Sequence, residues 1–260
     1  MSMIERILSS LKLPASCTRF DKTLFKKLFY EHGELKSRDK KLVQEQVEKI
    51  VLHYNLTPKS TNIVAYQNEE RRYLELPIVS ATLKVRPLDK GAAQASRIAE
   101  IIQRTLPHPC LLLLVCGDAT AVHVAHQRIH GSDTAKITLE AIEQSEWLVA
   151  DQLNYFQLDF LSALDVSRFR FTNFYDFYSD LLQRVQALNA AEISGQFKEG
   201  SASRVEETAS QLYNYRSLEQ QLETKRKELN LADTSFSRKT ALKIEIQKIK
   251  SQQADIAKTL

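Results

Sequence analysis

Glycine and proline are scarce, six of each in 260 residues. That scarcity excludes a turn-rich all-β sandwich, whose many tight turns depend on both. Cysteine is rarer still. Cys17, Cys110 and Cys116 form an odd set without paired spacing, so the chain does not read as a secreted disulfide framework. No CxxC pair offers zinc ligands. The phosphate-cradling patterns G-x-G-x-x-G and G-x-x-x-x-G-K-[ST] are missing, as is a G-x-S-x-G nucleophile elbow. Most nucleotide-dependent and hydrolase readings go with them, and no cofactor is expected. No apolar run approaches the ~20 residues of a membrane span. The start, Met-Ser-Met-Ile-Glu-Arg-Ile-Leu, carries charge where a signal peptide needs an unbroken apolar stretch. The expected compartment is the cytoplasm, with no membrane partner.

What is present is globular: 43% hydrophobic and 26% charged residues. The net charge of +4 is unevenly spread. Residues 1–60 carry 12 Lys/Arg against 7 Asp/Glu, residues 61–200 carry 13 against 17, and residues 201–260 carry 11 against 8. A basic start and tail around an acidic middle can mark a nucleic-acid surface, but two solvated helical faces are the expected reading.

Along the chain, Asp21 is placed as the N-cap of a short helix ending at Glu31-His32-Gly33, with Phe20 and Phe25 as its staple. Val43, Val47, Ile50, Val51 and Tyr54 share one helical face, predicting a long helix from Ser37 to Tyr54. Asn62–Tyr66 reads as a strand and 67–70 as a turn. Residues 72–86 read as extended, with Pro77 at an edge or bulge. Ala95, Ile98, Ile102 and Leu106 line one face of a helix over 90–105. The unbroken apolar run Cys110–Cys116 is expected to be a strand covered on both sides, its cysteines buried as small hydrophobes. Gly117-Asp118 turns the chain into a second strand over 119–129. Residues 136–147 suit either strand or helix. The aromatic-rich stretch 153–188 reads as helical, with Asn173 as an N-cap. Its phenylalanines and tyrosines are expected to seat a helix on the core, although such a cluster can also stack bases. This order predicts an α/β (α+β) fold, a mixed sheet with flanking helices, in a core domain over 1–196.

Gly195–Ser203 reads as a linker, and 203–260 as a helical coiled-coil hairpin broken by a loop at 230–235. Tyr215, Leu218, Leu222 and Leu229 fall at a/d spacing, with Lys225 interrupting. Leu242, Ile246, Ile249, Gln253, Ile256 and Leu260 form a second seam. Leu218, Leu222, Leu242, Ile246, Ile249 and Ile256 are the candidate interaction residues, whether the arm pairs with another chain or packs on its own. Lys84, Arg128, Lys243 and Lys250 are candidate nucleic-acid contacts.

Two constellations bear on chemistry. His123, His126 and His130 would share a face on a helix, but Ala-Val-His-Val-Ala-His is strand-like and would alternate them, which predicts hydrogen-bonded or surface histidines instead of a metal site. The second is a restriction-endonuclease-like core. There an acid and an acid-x-Lys on neighbouring strand ends would hold Mg²⁺. Thr82-Leu83-Lys84 stands where acid-x-Lys would, with Glu69, Glu70 or Glu75 as upstream acids, and Thr82 is no carboxylate. No catalytic or metal-binding residue is assigned.

The stretches Phe29–Ile50 (Phe-Tyr-Glu-His-Gly-Glu-Leu-Lys and onward), His53–Ile63 (His-Tyr-Asn-Leu-Thr-Pro-Lys-Ser-Thr-Asn-Ile) and Val124–Ile129 (Val-Ala-His-Gln-Arg-Ile) resemble an uncharacterised bacterial domain-of-unknown-function family. The resemblance covers residues 15–150, and the arm only as a general helical tail. It implies a setting beside DNA methyltransferases and helicase-like proteins in restriction and phage-defence clusters, and no chemistry. The expected function is a non-catalytic accessory or adaptor subunit. Its partner would be a helicase-like or DNA methyltransferase subunit or a second copy, with DNA as a further contact. The alternative is a divergent or inactivated restriction-endonuclease-like nuclease.

Overall fold

The structure, a computed structural model, describes residues 1–31, 35–84, 92–131, 133–199, 202–231 and 233–260. Packing divides the chain into two units, Met1–Val185 and Gln186–Leu260.

The first unit runs α1 (Met3–Ser10), β1 (Lys22–Leu24), α2 (Lys26–Glu31), α3 (Ser37–Gln46), β2 (Val47–Leu56), α4 (Pro58–Thr61), β3 (Tyr66–Gln67), β4 (Arg72–Tyr73), β5 (Leu76–Leu83), α5 (Ala92–Thr105), β6 (Leu111–Cys116), β7 (Ala119–Val124), β8 (Gln127–His130), β9 (Asp133–Leu139), β10 (Glu143–Gln144), β11 (Leu148–Val149) and α6 (Tyr155–Ala163). Helix α7 (Phe174–Ser194) begins in this unit and ends in the second. The main sheet is mixed, in the order β1-β2-β5-β6-β7-β10, with β11 also on β7. Strand β2 is antiparallel to β1 and β5, β5 and β6 are parallel, and β6 and β7 are antiparallel. The parallel pair needs a crossover, and α5 supplies it. β3–β4 and β8–β9 are separate two-stranded hairpins.

The predicted mixed sheet with flanking helices is therefore present. The apolar face of α5 lies where the spacing put it: Ala95, Ile98 and Ile102 are buried against Val79, Ala81, Leu112 and Leu114 of the sheet and Val43 of α3. A bidentate ion pair between Arg97 and Asp39 ties α5 to α3 (3.1 and 2.6 Å). It holds the Asp39 carboxyl below its usual range. β6 is buried on both faces, and its end turns at Gly117, whose left-handed φ of 61° glycine adopts without steric cost. Pro77 sits opposite Asn55 of β2, and the β6 ladder starts one residue later at Ile78, so its missing N–H costs no bond to β6. Asn173 caps α7, accepting from the Asp176 N–H at 2.9 Å. Phe174, Phe177 and Tyr178 are buried along that helix, as a seating role requires.

Several expectations are corrected. The helix from Ser37 stops at Gln46, and 47–56 is a strand. Its buried positions are 47, 50, 53 and 56, every third residue, and register irregularities between Val47 and Lys49 and between Leu52 and Tyr54 contribute to that spacing. Each inserts a residue into the alternation, turning a period of two into three, which resembles a helical stripe. β-branched Val47, Ile50 and Val51 and the aromatic Tyr54 favour the strand. Asp21 caps no helix. It has φ 46°, precedes β1 and bonds elsewhere, while Phe20 and Phe25 are exposed instead of stapled. The strand expected over 119–129 breaks after Val124 and resumes as β8 in a different sheet. Residues 136–147 resolve as the end of β9 and as β10. His32, Gly33 and Lys90 lie outside the described residues.

The second unit holds the end of α7 with α8 (Ala202–Leu229) and α9 (Phe236–Thr259). α8 and α9 form an antiparallel hairpin, pinned near its loop by Arg238 on Glu228 (2.7 Å) and further down by Lys225 on Glu245. The connecting residues match the loop expected at 230–235, with Ser235 capping α9. The packing boundary lies upstream of the 195–203 linker, since Ala190 and Ile193 of α7 cluster with Leu212, Ile256 and Leu260.

Candidate functional site

Of the candidate interaction residues in the arm, Leu222, Leu242 and Ile249 are buried, and Leu218, Ile246 and Ile256 are half-buried. Lys225, the interruption in the first seam, is satisfied by Glu245. The hairpin thus covers much of its own seam. Its outward surface carries Tyr213 and Ile244, 74% and 68% exposed. Lys243 and Lys250 are exposed on α9.

The other two candidate cations lie in the first unit. Lys84 follows β5 and donates its backbone N–H to the Gln46 carbonyl at 2.9 Å, beside the start of β2. The proposed upstream acids are elsewhere. Glu69 and Glu70 lie in the turn between β3 and β4, and Glu75 precedes β5 at its opposite end, bonded by Asn55 at 2.9 Å. Nine residues of extended chain put Glu75 about 30 Å from Lys84, so no acid-x-Lys site assembles from these residues. Arg128 pairs with Glu140, which also accepts from Arg71 at 2.8 Å. Burial works to raise the Glu140 carboxyl, but the two guanidiniums hold it below its usual range.

The three histidines are dispersed. His123 on β7 is 3% exposed, and burial pushes it down to about 4. His126, between β7 and β8, meets the Tyr73 hydroxyl through Nδ1 at 2.6 Å, and burial, reinforced by Arg71, also pushes it down to about 4. His130 is exposed at the end of β8. Both shifted rings are therefore neutral at physiological pH. Around His126 the rings of Tyr73, Tyr175 and Tyr178 stand 5.2 to 5.9 Å away, and Tyr66 stacks on Tyr175 at 5.1 Å. Tyr178 is fully buried. Its hydroxyl accepts from the Ala125 N–H (2.9 Å) and faces the carbonyls of Cys110 (2.9 Å) and Ala125 (3.1 Å), joining α7 to the sheet.

A further network had no signal in the sequence. His53, the residue skipped by the ladder between Leu52 and Tyr54, bonds Asp21 through Nδ1 (2.5 Å) and Ser80 through Nε2 (2.8 Å). Arg19 then links Asp21 (2.7 Å) to Glu5 on α1 (2.6 and 2.8 Å). Modest burial would raise the Asp21 carboxyl, but the bonds from His53 and Arg19 hold it low. The partners are 32 and 27 residues from His53 and follow no periodicity, so only the fold brings them together.

Residues 11–252 match the family described as a domain of unknown function, DUF4391. The chain belongs to that family. No curated protein and no solved structure matches it.

In this DUF4391 chain the Asp21–His53–Ser80 line has the connectivity of an acyl-transfer triad. Its serine is 3% exposed in the middle of β5, where no substrate can reach the hydroxyl. The line therefore works as a clasp across β1, β2 and β5. Among the described residues no group of three or more His, Cys, Asp or Glu side chains is placed to hold a metal ion, and no helix is long and apolar enough to cross a membrane. The α8–α9 hairpin presents an accessible surface, with Tyr213 and Ile244 exposed on it.

Proposed function

We propose that the protein is a non-catalytic accessory subunit of a bacterial DNA-directed defence complex, of restriction-modification or anti-phage type, assembling through its C-terminal hairpin. The observation that carries this reading is the hairpin itself. Helices of 28 and 24 residues close on Leu222, Leu242 and Ile249 and so offer a preformed outer surface. Tyr213 and Ile244 stand out from it at 74% and 68% exposure. Aromatic and aliphatic anchors on a rigid element bind with little ordering cost. The buried histidines of the first unit are tied into internal bonds, which suits a scaffold better than proton transfer to a substrate.

The partner is a helicase-like or DNA methyltransferase subunit encoded beside the protein, or a second copy of it. The test is reconstitution of the full chain with those subunits, followed by size-exclusion chromatography. A stable complex is expected, and Tyr213→Glu with Ile244→Glu should disperse it without loss of helicity. A complex unchanged by the double variant refutes the hairpin as the docking element.

One observation favours a second reading, a divergent restriction-endonuclease-like nuclease. Lys84 stands at the end of β5 beside the Val47–Lys49 irregularity, with Glu48 at that irregularity. Mg²⁺-dependent cleavage of plasmid DNA, abolished by Lys84→Ala, would establish it and displace the accessory role.

A further inference from the structure

The outward face of α9 is chemically unlike the rest of the arm. Phe236, Lys239, Lys243 and Lys250 follow the spacing i, i+3, i+7, i+14 and fall on one side of the helix, with Thr240 and Gln247 beside them. Phe236 is 87% exposed. Phe236, Lys243 and Lys250 are a heptad apart, about 10 Å per step along the axis. Lys239, Lys243 and Lys250 carry no ion pair among the described residues, because both acids of α9 are used elsewhere: Glu245 by Lys225 and Arg238, and Asp255 by Lys258. The apolar seam of α9, with Leu242 and Ile249, is buried on another side.

We propose that this face binds single-stranded nucleic acid, with Phe236 as a stacking platform for a base and Lys239, Lys243 and Lys250 along the phosphates. An exposed ring aligned with unpaired cations and amide or hydroxyl side chains is the combination such strands require. A duplex hides the faces of its bases and gives the ring nothing to stack on. A protein partner would need apolar area to bury, and along the line from Phe236 to Lys250 the side chains are otherwise Lys, Thr and Gln, with the exposed Ile244 on the neighbouring side. Recognition is of backbone and base face, without sequence preference. It needs no partner subunit and so stands apart from the assembly role.

The test uses the purified full chain with a fluorescein-labelled 20-nucleotide oligo-dT and a duplex of equal length, read by fluorescence anisotropy. The single strand should bind tighter. Three neutralised phosphates give a salt slope of about −2, so raising salt from ~50 to ~200 mM should weaken binding by about 20-fold. Phe236→Ala should weaken it by about tenfold or more. Lys243→Gln with Lys250→Gln should cut the salt slope to about a third of its value. Circular dichroism of these surface variants should match the parent, separating lost contacts from lost folding. A preference for duplex, affinity unmoved by Phe236→Ala, or equal binding of a poly-glutamate peptide with the same variant sensitivity would each overturn the proposal, the last by making the face a site for acidic protein.

Discussion

Acidification from pH 7 to 4.5 should strip most of the stability from the first unit, and two histidines should account for a separable share. His123 and His126 have folded values of about 4 against an ordinary 6.5. Between those values the unfolded chain takes up protons that the folded chain refuses. Stability is therefore complete above about pH 6.5 and falls as pH drops toward 4. Each full shift corresponds to about 3.4 kcal/mol at ~1.36 kcal/mol per pH unit, of which about 2.5 is lost by pH 4.5. His123 is 3% exposed and should show nearly all of this, whereas His126 is only partly buried and should show less. Together they remove about 4 kcal/mol, a large fraction of the stability of an ordinary domain. The assay is urea unfolding at both pH values for the parent and for His123→Gln with His126→Gln, whose side chains hydrogen-bond but do not titrate. Paired carboxylates such as Asp39 and Glu5, both held low by arginines, also lose stability in acid. They do so equally in both proteins, so the difference in acid loss isolates the histidines. An identical loss in the double variant would refute the reasoning.

Tyr178→Phe should cost about 2–4 kcal/mol, because it strands the Ala125 N–H and removes the donor facing two buried carbonyls. A melting temperature lowered by less than a few degrees would count against this. Gly117→Ala, at φ 61°, should destabilise by about 1–2 kcal/mol through left-handed strain, measured as a lower urea midpoint at unchanged m. A thiol reagent should find at most one reactive cysteine in the native protein, half-buried Cys17, and three after unfolding. Cys116 is buried, as is Cys110, whose thiol is pushed up to about 12 by that burial. Leu242→Ala should cost about 2–5 kcal/mol and loosen the hairpin, read as lost ellipticity at 222 nm, because Leu242 is fully buried in its seam.

The sequence spoke most clearly where one periodicity ruled a whole element. The helix carrying Ala95, Ile98 and Ile102, the doubly covered strand after Cys110 and the loop between Leu229 and Phe236 are all where spacing put them. It misled where an irregularity broke the period, as in β2, whose inserted residues imitate a helical stripe. It was silent where partners are far apart in the chain: nothing local marks Asp21 or Ser80 as neighbours of His53, or Tyr73 as a neighbour of His126. The arm's seam residues were legible as apolar positions. Which of them the hairpin covers depended on how α8 and α9 pair, and that is settled by contacts such as Arg238 with Glu228.

The place of His53 in β2 bears on how length changes in this strand would be tolerated. The ladder pairs Leu52 with Val79 and Tyr54 with Ile78, passing over His53. If that codon were deleted, its neighbours would close into an uninterrupted antiparallel run, and every remaining pair would keep its partner. Deleting Ile50 or Val51 would instead turn the side chains on one side of the gap to the opposite face. The backbone can thus spare His53 more easily than any paired neighbour. What a deletion would remove is the ring joining Asp21 to Ser80, and with it the link from the sheet to Arg19, whereas α1, which carries Glu5, keeps its own bond from Arg6 to the Ala150 carbonyl. A shortened chain of this kind would be expected to keep its strand order, and to keep α1 docked through its buried Met3, Ile7 and Leu8, while the segment around Asp21 becomes open to proteases.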